Sequence, residues 1–382
     1  MNKSRLDRPL REAVANGKVA GVVALAADRT GPVYEAAFGE RVRGSGVAMT
    51  MDSLFYIASL TKGITAAAAM QLVEQQKISL DEPLGRLLPY LQAPPVLEGF
   101  DSAGQPRLRP ARAPITLRQL LTHTSGFTYD VWNADLQRYL KLTKKPAGRS
   151  GRLVGLEQPL AFEPGTRWEY GIGIDWAGRV VEAVSGQDLN AYFRDHIFRP
   201  LGMNDTSFTP NEAQVALGAG LHIRKPDGTL TGQNFSKPVY PEFFPGGGGL
   251  CSTGPDYLRF LSALLTGGGG ILRPETVATM LQNHIGELNV QPLRTVEPEI
   301  SHDFDFFPGQ TTKWGLSFLI NPEAIPGRRG AGSAGWAGLY NCYYWLDPGA
   351  GVAGLMMSQS LPFGDPILLD LFAQFEARVY AA

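Results

Sequence analysis

The stretch from Phe55 to Gln76 limits what this chain can fold into more than any other. Between Ile57 and Val73 the one charged side chain is Lys62, while Leu60, Ile64, Ala66 to Ala69, Met70, Leu72 and Val73 cover every side of a helix. A helix that is apolar all round belongs inside a protein, so the rest of the chain has to enclose it. A lysine in such a helix needs a reason. Ser59 lies three residues earlier, which on a helix puts both side chains on one face, about 5–6 Å apart at Cβ. Burial disfavours the charged form of an amine, and a neutral amine can take a proton from a neighbouring hydroxyl. Ser59 is therefore a candidate nucleophile and Lys62 a candidate base. If Ser59 opens the helix, its backbone N–H points at negative charge developing beside it. A plainer reading competes, because Ser-x-x-Lys arises by chance on the order of once in a chain of ordinary composition this long. Most such pairs are solvated helix faces, and the stretch alone leaves both readings open.

With 382 residues the chain is longer than a usual single hydrophobic core, so one large domain with an insertion, or two domains, is expected. The formal net charge is −1, and no basic run is longer than Lys144-Lys145. Nothing in this balance points to nucleic acid or to an anionic membrane surface. Cys251 and Cys342 are far apart and outside metal-ligand spacing, and the five histidines show no i,i+4 pair. We expect two reduced thiols, no metal and a cytoplasmic location. No apolar run approaches the ~20 residues of a membrane span. Val19 to Ala26 imitates a secretory signal, but Asp7, Pro9 and Glu12 precede it and Gly21 interrupts it, so 19–27 reads as a buried strand.

In chain order, residues 4–16 form an amphipathic helix, and strand-like runs follow at 19–27 and 33–39. From about 81 to 207 the pattern changes to short helices at 116–122, 133–143, 174–185 and 188–199, joined by proline- and glycine-rich loops. Residues 99–114 read as a long surface loop and 286–311 as irregular. A helix is expected at 255–265, strands at 312–320, 336–347 and 351–358, and a final helix at 365–380. Strands confined to both ends imply one antiparallel sheet assembled from both termini, with a helical lobe between. The expected division is a sandwich domain from 1–80 and 215–382, a helical domain from 81–214, and a cleft between them.

Several blocks carry a family resemblance. Ser59-x-x-Lys62, Leu120-Leu-Thr-His-Thr-Ser-Gly126, Phe162-Glu-Pro-Gly165 with Trp168-Glu-Tyr170, Pro200-Leu-Gly-Met203, and Gly246-Gly-Gly-Gly-Leu-Cys-Ser-Thr253 occur in one order along nearly the whole chain. In this the chain resembles the class C β-lactamase and penicillin-binding-protein superfamily of serine hydrolases, and within it the family VIII carboxylesterases. The resemblance implies an α/β sandwich with a helical domain, an acyl-serine intermediate and no cofactor. It also implies that Tyr170 is the second catalytic element, sharing a proton with Lys62, and that the N–H groups of Ser59 and Leu339 form the oxyanion hole.

Two departures bear on substrate. The asparagine that follows the tyrosine in lactamases is Ile172 here, and the lysine-bearing motif of their edge strand is Trp336-Ala337-Gly338. An indole cannot pair with a carboxylate but supplies an apolar wall with one N–H donor. The resemblance with these changes points to a small uncharged ester as substrate. Trp336, Gly338 and Ile172 are accordingly candidate substrate contacts, and so are loop aromatics that could border the cleft, Tyr129, Trp132 and Phe244, with Phe127 and Phe243 beside them. Core packing remains the alternative for each. An acyltransferase, or a β-lactamase, peptidase or amide hydrolase, would use the same three residues, and a non-enzymatic scaffold stays open as a different class. Ala331-Gly-Ser333-Ala-Gly335 nearly matches the Gly-x-Ser-x-Gly elbow of another hydrolase fold, whose histidine follows the serine in the chain. The last histidine here is His302, so Ser333 has no partner of that order. His123 reads as a structural histidine bonded to a turn. Oligomeric state is not legible in the sequence.

Overall fold

Residues 21–27 and 342–346 lack a charged side chain, as strands covered on both faces require. In the computed structural model, which describes residues 3–381, both stretches lie inside one seven-stranded antiparallel sheet. Met1, Asn2 and Ala382, which fall in the expected sandwich domain, lie outside the described residues. In chain order the strands are β1 (Gly21–Asp28), β2 (Gly31–Gly39), β3 (Lys313–Trp314), β4 (Leu319–Asn321), β5 (Ser333–Gly338), β6 (Cys342–Asp347) and β7 (Val352–Met357). In space they run β2-β1-β7-β6-β5-β4-β3. The join between the two ends of the chain is β1 against β7, with Val23 opposite Met357 and Leu25 opposite Leu355. The imitation signal sequence is thus a strand in the interior of the sheet.

Five helices position the site: α1 (Lys3–Ala15), α2 (Thr61–Glu74), α3 (Gly173–Ser185), α4 (Gly254–Leu265) and α5 (Pro366–Tyr380). The alternation of a strand assigns them to layers. Tyr343 and Trp345 of β6 meet α5 at Phe372 and Phe375, with ring centroids 5.2 and 5.8 Å apart, and α1 packs on the same helix. Tyr344, between them, faces the other way and meets Tyr257 of α4 at 5.6 Å. Helix α2 lies beyond α4, so close that a Cβ on Gly63 would touch Phe260 and Phe318 at 3.4 Å. Helix α3 covers its far side. The helix that had to be enclosed is enclosed, and Thr61 to Leu72 are all buried.

Three expectations need correction, and one hairpin is new. Residues 99–114 are not a loop throughout: Pro95–Phe100 pairs with Pro106–Pro110 as a hairpin. Its prolines lie at strand ends, where no ladder N–H is lost, and Asp101 Oδ1 holds the turn by accepting from the amides of Ala103 and Gln105 at 2.9 and 2.8 Å. The run 336–347 is two strands, because the chain reverses at Leu339–Asn341, where Asn341 takes a left-handed φ of 61°. Residues 312–320 likewise break into β3 and β4, with Ser317 at φ 74° between them. A further hairpin, Leu221–Arg224 with Leu230–Gln233, was not anticipated, although Lys225-Pro-Asp-Gly-Thr229 carries a turn signature.

Candidate active site

Ala58, just before the candidate nucleophile, has φ 44°, a left-handed conformation that costs a residue with a Cβ on the order of 1–3 kcal/mol. Residues 58–60 then make one tight turn, Thr61 opens α2, and Ser59 stands half-buried at the mouth of the helix. It borders a cavity of about 410 Å³ whose other walls include Tyr129, Trp132, Asp175, Gly247, Leu339 and Tyr340. Strand β5 runs against this turn, since a Cβ on Gly338 would lie 2.4 Å from the Ile57 carbonyl oxygen. Only glycine fits there, and the approach brings Leu339, one residue on, to the cavity wall beside Ser59.

Lys62 is 1% exposed. Its Nζ lies 3.0 Å from Ser59 Oγ and 3.1 Å from the Tyr129 hydroxyl, and it donates to the Gly247 carbonyl. A carbonyl can only accept, so one amine hydrogen is committed to Gly247. Ser59 and Tyr129 are hydroxyls and can either accept from Nζ or donate to it. The geometry therefore permits a proton to pass between Ser59, Lys62 and Tyr129 while the Gly247 contact is kept.

The glycine run 246–249 makes that third contact. Thr65 Oγ1 donates to the Gly246 carbonyl at 2.6 Å, and the Leu250 amide donates to Thr61 Oγ1 at 3.2 Å. The Gly247 amide donates to Asp175 Oδ1 at 2.9 Å, and a Cβ on Gly247 would fall 2.5 Å from Asp175 Oδ2. Asp175 is 4% exposed in the first turn of α3. Burial pushes its carboxyl up to about 6, against the opposing pull of Lys62 and of the Gly247 N–H. Sequence reasoning missed it, although the signal was present: Asp175 is the one charge between Gly171 and Gly178, the same anomaly that singled out Lys62.

The Tyr170 hydroxyl does not reach Lys62 by a hydrogen bond among the described residues. It accepts from Trp336 Nε1 at 2.9 Å, and the tyrosine offers Lys62 its ring, with Nζ 4.9 Å from the centroid. Tyr170 and Trp336 are 2% and 3% exposed and do not line the cavity. Trp336 is thus a wall behind Tyr170, with Trp314 edge-on to it at 4.6 Å, and its N–H is already taken. Ile172 also turns away from the cavity, packing on the segment at Gly148, where a Cβ would lie 2.9 Å from Ile172 Cγ2. Of the loop aromatics, Tyr129 and Trp132 line the cavity. Phe244 packs on Phe208 at 5.1 Å and borders a neighbouring cleft instead, while Phe127 stacks on Trp176 in the core.

His123 is buried, its Nδ1 accepts from the Gly171 amide at 3.2 Å, and its carbonyl accepts from Glu169. It thus holds the turn that carries Tyr170. Burial first, and the nearby Lys62 second, keep the ring neutral. Ser333 opens β5 fully buried, with Oγ 3.4 Å from Asn321 Oδ1. Arg149 reaches the cavity rim but already faces Asp130 at 3.4 Å and Glu297 at 3.5 Å.

The family and the fold of the chain are those of known proteins. The beta-lactamase family model matches residues 6–377. The chain is 34% identical to the monacolin J acid methylbutanoyltransferase of Aspergillus terreus, over 98% of this chain and 95% of that one. It is 33% identical to the lovastatin esterase of Penicillium rubens, over 98% of both. Among solved structures it resembles a simvastatin synthase of Aspergillus terreus, with TM-score 0.88 and 34% identity over 98% of this chain and 96% of that one. It also resembles EstCE1, a hydrolase with promiscuous acyltransferase activity, with TM-score 0.78 and 25% identity over 99% and 98%.

Proposed function

The chain belongs to the beta-lactamase family, and from that premise we propose that it is a serine carboxylesterase of the family VIII type that cleaves small uncharged esters through an acyl enzyme on Ser59. The observation that carries this reading is the 3.0 Å contact between Ser59 Oγ and Lys62 Nζ at the wall of an open cavity. Ser59 attacks the ester carbonyl as Lys62 takes its proton, and the oxyanion is received by the N–H groups of Ser59 and Leu339. One such donor is worth about 3 kcal/mol to acyl transfer. The departing alcohol takes up the proton held by Lys62, and water, activated by the amine so freed, releases the acid as the proton returns to Ser59. The ring face of Tyr170 favours the ammonium formed on Lys62 during attack.

Preference for uncharged esters rests on the edge strand. Where lactamases carry a cation, this chain has buried Trp336, so no positive charge meets a substrate carboxylate from β5. The rim cation Arg149 already has two carboxylates beside it. A second reading is favoured by the relatives: one is named a methylbutanoyltransferase and another an esterase at nearly equal identity. An acyltransferase would pass the same acyl group to an alcohol.

A partition experiment tests both. With p-nitrophenyl butyrate as donor, we expect butyrate as the main product in water and faster turnover than with nitrocefin or a D-alanyl amide. Butyryl transfer to an added alcohol that exceeds hydrolysis severalfold at millimolar acceptor selects the transferase. Preferred turnover of nitrocefin overturns the ester assignment.

A further inference from the structure

One wall of the cavity beside Ser59 is a strap, residues 234–240, which follows the strand Leu230–Gln233 and has no regular secondary structure. Both of its ends are fixed. At the first, the Phe235 ring stacks on Tyr56 with centroids 4.8 Å apart, and the Tyr56 hydroxyl donates to the Ser236 carbonyl. The fit is close enough that a Cβ on Gly218 would lie 2.2 Å from Phe235 Cγ. At the second, the Tyr240 hydroxyl donates to the Gly249 carbonyl at 2.8 Å. Two residues on, the Glu242 amide donates to the Gly151 carbonyl at 3.1 Å, and its carboxylate accepts from the Leu153 amide at 2.7 Å. Between these anchors stand Lys237, Pro238 and Val239, and none of the three makes a hydrogen bond among the described residues. Val239 is 81% exposed, more than any other large apolar side chain among the described residues, yet it lines the cavity together with Pro238. A lone exposed valine is ordinary on a protein surface. This one is held by an anchored backbone in the wall of the cavity that contains the nucleophile.

The reacting groups decide which part of an ester would meet it. Lys62, whose proton the departing alcohol takes up, faces Tyr129 and Gly247, so the alcohol leaves on that side. The carbonyl oxygen is directed at the N–H groups of Ser59 and Leu339. What remains for the acyl chain is the part of the wall that Lys62 does not touch, where Tyr56, Tyr340, Phe235, Pro238 and Val239 stand. Tyr340 follows Leu339 and meets Tyr56 at 5.8 Å, which ties the first anchor of the strap to that end of the cavity.

We propose that the strap selects the acyl chain, with Pro238 and Val239 covering the methylenes beyond the ester carbonyl, so that the preferred substrates are esters of apolar acids longer than acetate. This deepens the Ser59–Lys62 reading above and rests on it. Covering a methylene with the valine takes both out of water, and the gain grows with each carbon that reaches the strap.

The test varies the two halves of the ester separately. With p-nitrophenol as the fixed leaving group, native protein should show a higher kcat/KM for the hexanoate than for the acetate. Val239→Asn, which is polar but uncharged, should lower that hexanoate-to-acetate ratio by about tenfold, the low end of what one methylene is worth in an apolar pocket. With butyrate as the fixed acyl group, the ratio between hexyl and ethyl esters should stay within about twofold in the same variant. Val239→Leu keeps the apolar surface and should not lower the first ratio. Neither substitution removes a buried side chain, so both variants should fold. A native preference for the acetate, an unchanged hexanoate-to-acetate ratio in Val239→Asn, an equal fall in Val239→Leu, or a fall in the hexyl-to-ethyl ratio instead overturns the proposal. Fluorophosphonate labelling of Ser59 in every variant, with unchanged ratios, would leave the Ser59–Lys62 reading standing while the strap assignment fails. No label on Ser59 in native protein would remove both.

Discussion

Among the described residues one lysine and one arginine are buried, and their partners differ in kind. Arg329, before β5, is 0% exposed and meets the carboxylate of Glu376 on α5 with Nε at 2.6 Å and Nη2 at 3.0 Å, while Arg328 adds two more bonds to the same carboxylate. Aromatic rings cover what is left, with Phe307 5.1 Å from the Arg329 guanidinium. Lys62, 1% exposed, has neutral hydrogen-bond partners: two hydroxyls and a carbonyl. The carboxylate of Asp175, which feels the charge of Lys62, accepts from the Gly247 amide instead. A cation bonded to an anion is fixed in its charge, since neutralising either member strands the other. A cation bonded to hydroxyls can release its proton and keep every contact. One arrangement joins a helix to a sheet and the other can work as a base.

The comparison breaks most visibly at Lys62. Lys62→Met should lower kcat/KM for p-nitrophenyl butyrate by about 10²- to 10⁴-fold, with an unchanged circular dichroism spectrum. Lys62→Arg should lose as much, because a guanidinium keeps its proton at any working pH. An arginine variant with near-native activity would mean that position 62 needs only a charge.

Glu376→Gln should cost about 3–5 kcal/mol in urea unfolding, because Arg329 is left buried without its anion, while kcat per folded enzyme stays within about twofold. Burial works to raise the Glu376 carboxyl, but Arg329 and Arg328 outweigh it and hold it below the ordinary 4.5. A depressed carboxylate contributes stability that is complete above its unfolded value and lost as pH falls through its folded one. Native protein should therefore weaken below about pH 4.5 in a way that the variant does not.

The smallest expected effect is at Asp175, and its sign is opposite. Its folded value is raised from 3.8 to about 6, so the folded state holds this proton more tightly and stability is lost as pH rises through that window. Asp175→Asn should flatten this slope and gain on the order of 1–3 kcal/mol above pH 7. It should also remove any limb near pH 6 from the kcat/KM profile, because the charge beside Lys62 no longer titrates. A slope that persists in the variant would place its origin elsewhere.

Much of this was legible because period and burial are local properties. The all-apolar helix around Lys62, the strands expected at 19–27 and 351–358, and the helix expected at 365–380 could be read from spacing alone, and they are found at Gly21–Asp28, Val352–Met357 and Pro366–Tyr380. The hairpin reversal at Leu339–Asn341 could not, since its turn is built by one left-handed asparagine inside an apolar run. At the site, sequence named Ser59, Lys62, Tyr129 and Tyr170 but not which tyrosine would turn its hydroxyl to the amine. Trp336, which arrives from β5, 166 residues away in the chain, donates its N–H to the Tyr170 oxygen, and no sequence spacing announces that contact. Trp336 and Ile172 were expected at the cavity wall for their chemistry, and long-range packing put both behind it.

The central claim is that Lys62 serves as the base for Ser59. The most direct measurement is the rate of labelling by a fluorophosphonate, read by peptide mass, in native protein and in Ser59→Ala, Lys62→Met and Ser333→Ala. The account predicts one adduct on the Ser59 peptide, none in Ser59→Ala, labelling slowed at least 100-fold in Lys62→Met, and the native rate in Ser333→Ala. An adduct on another residue, or native-rate labelling of Ser59 without Lys62, would contradict it.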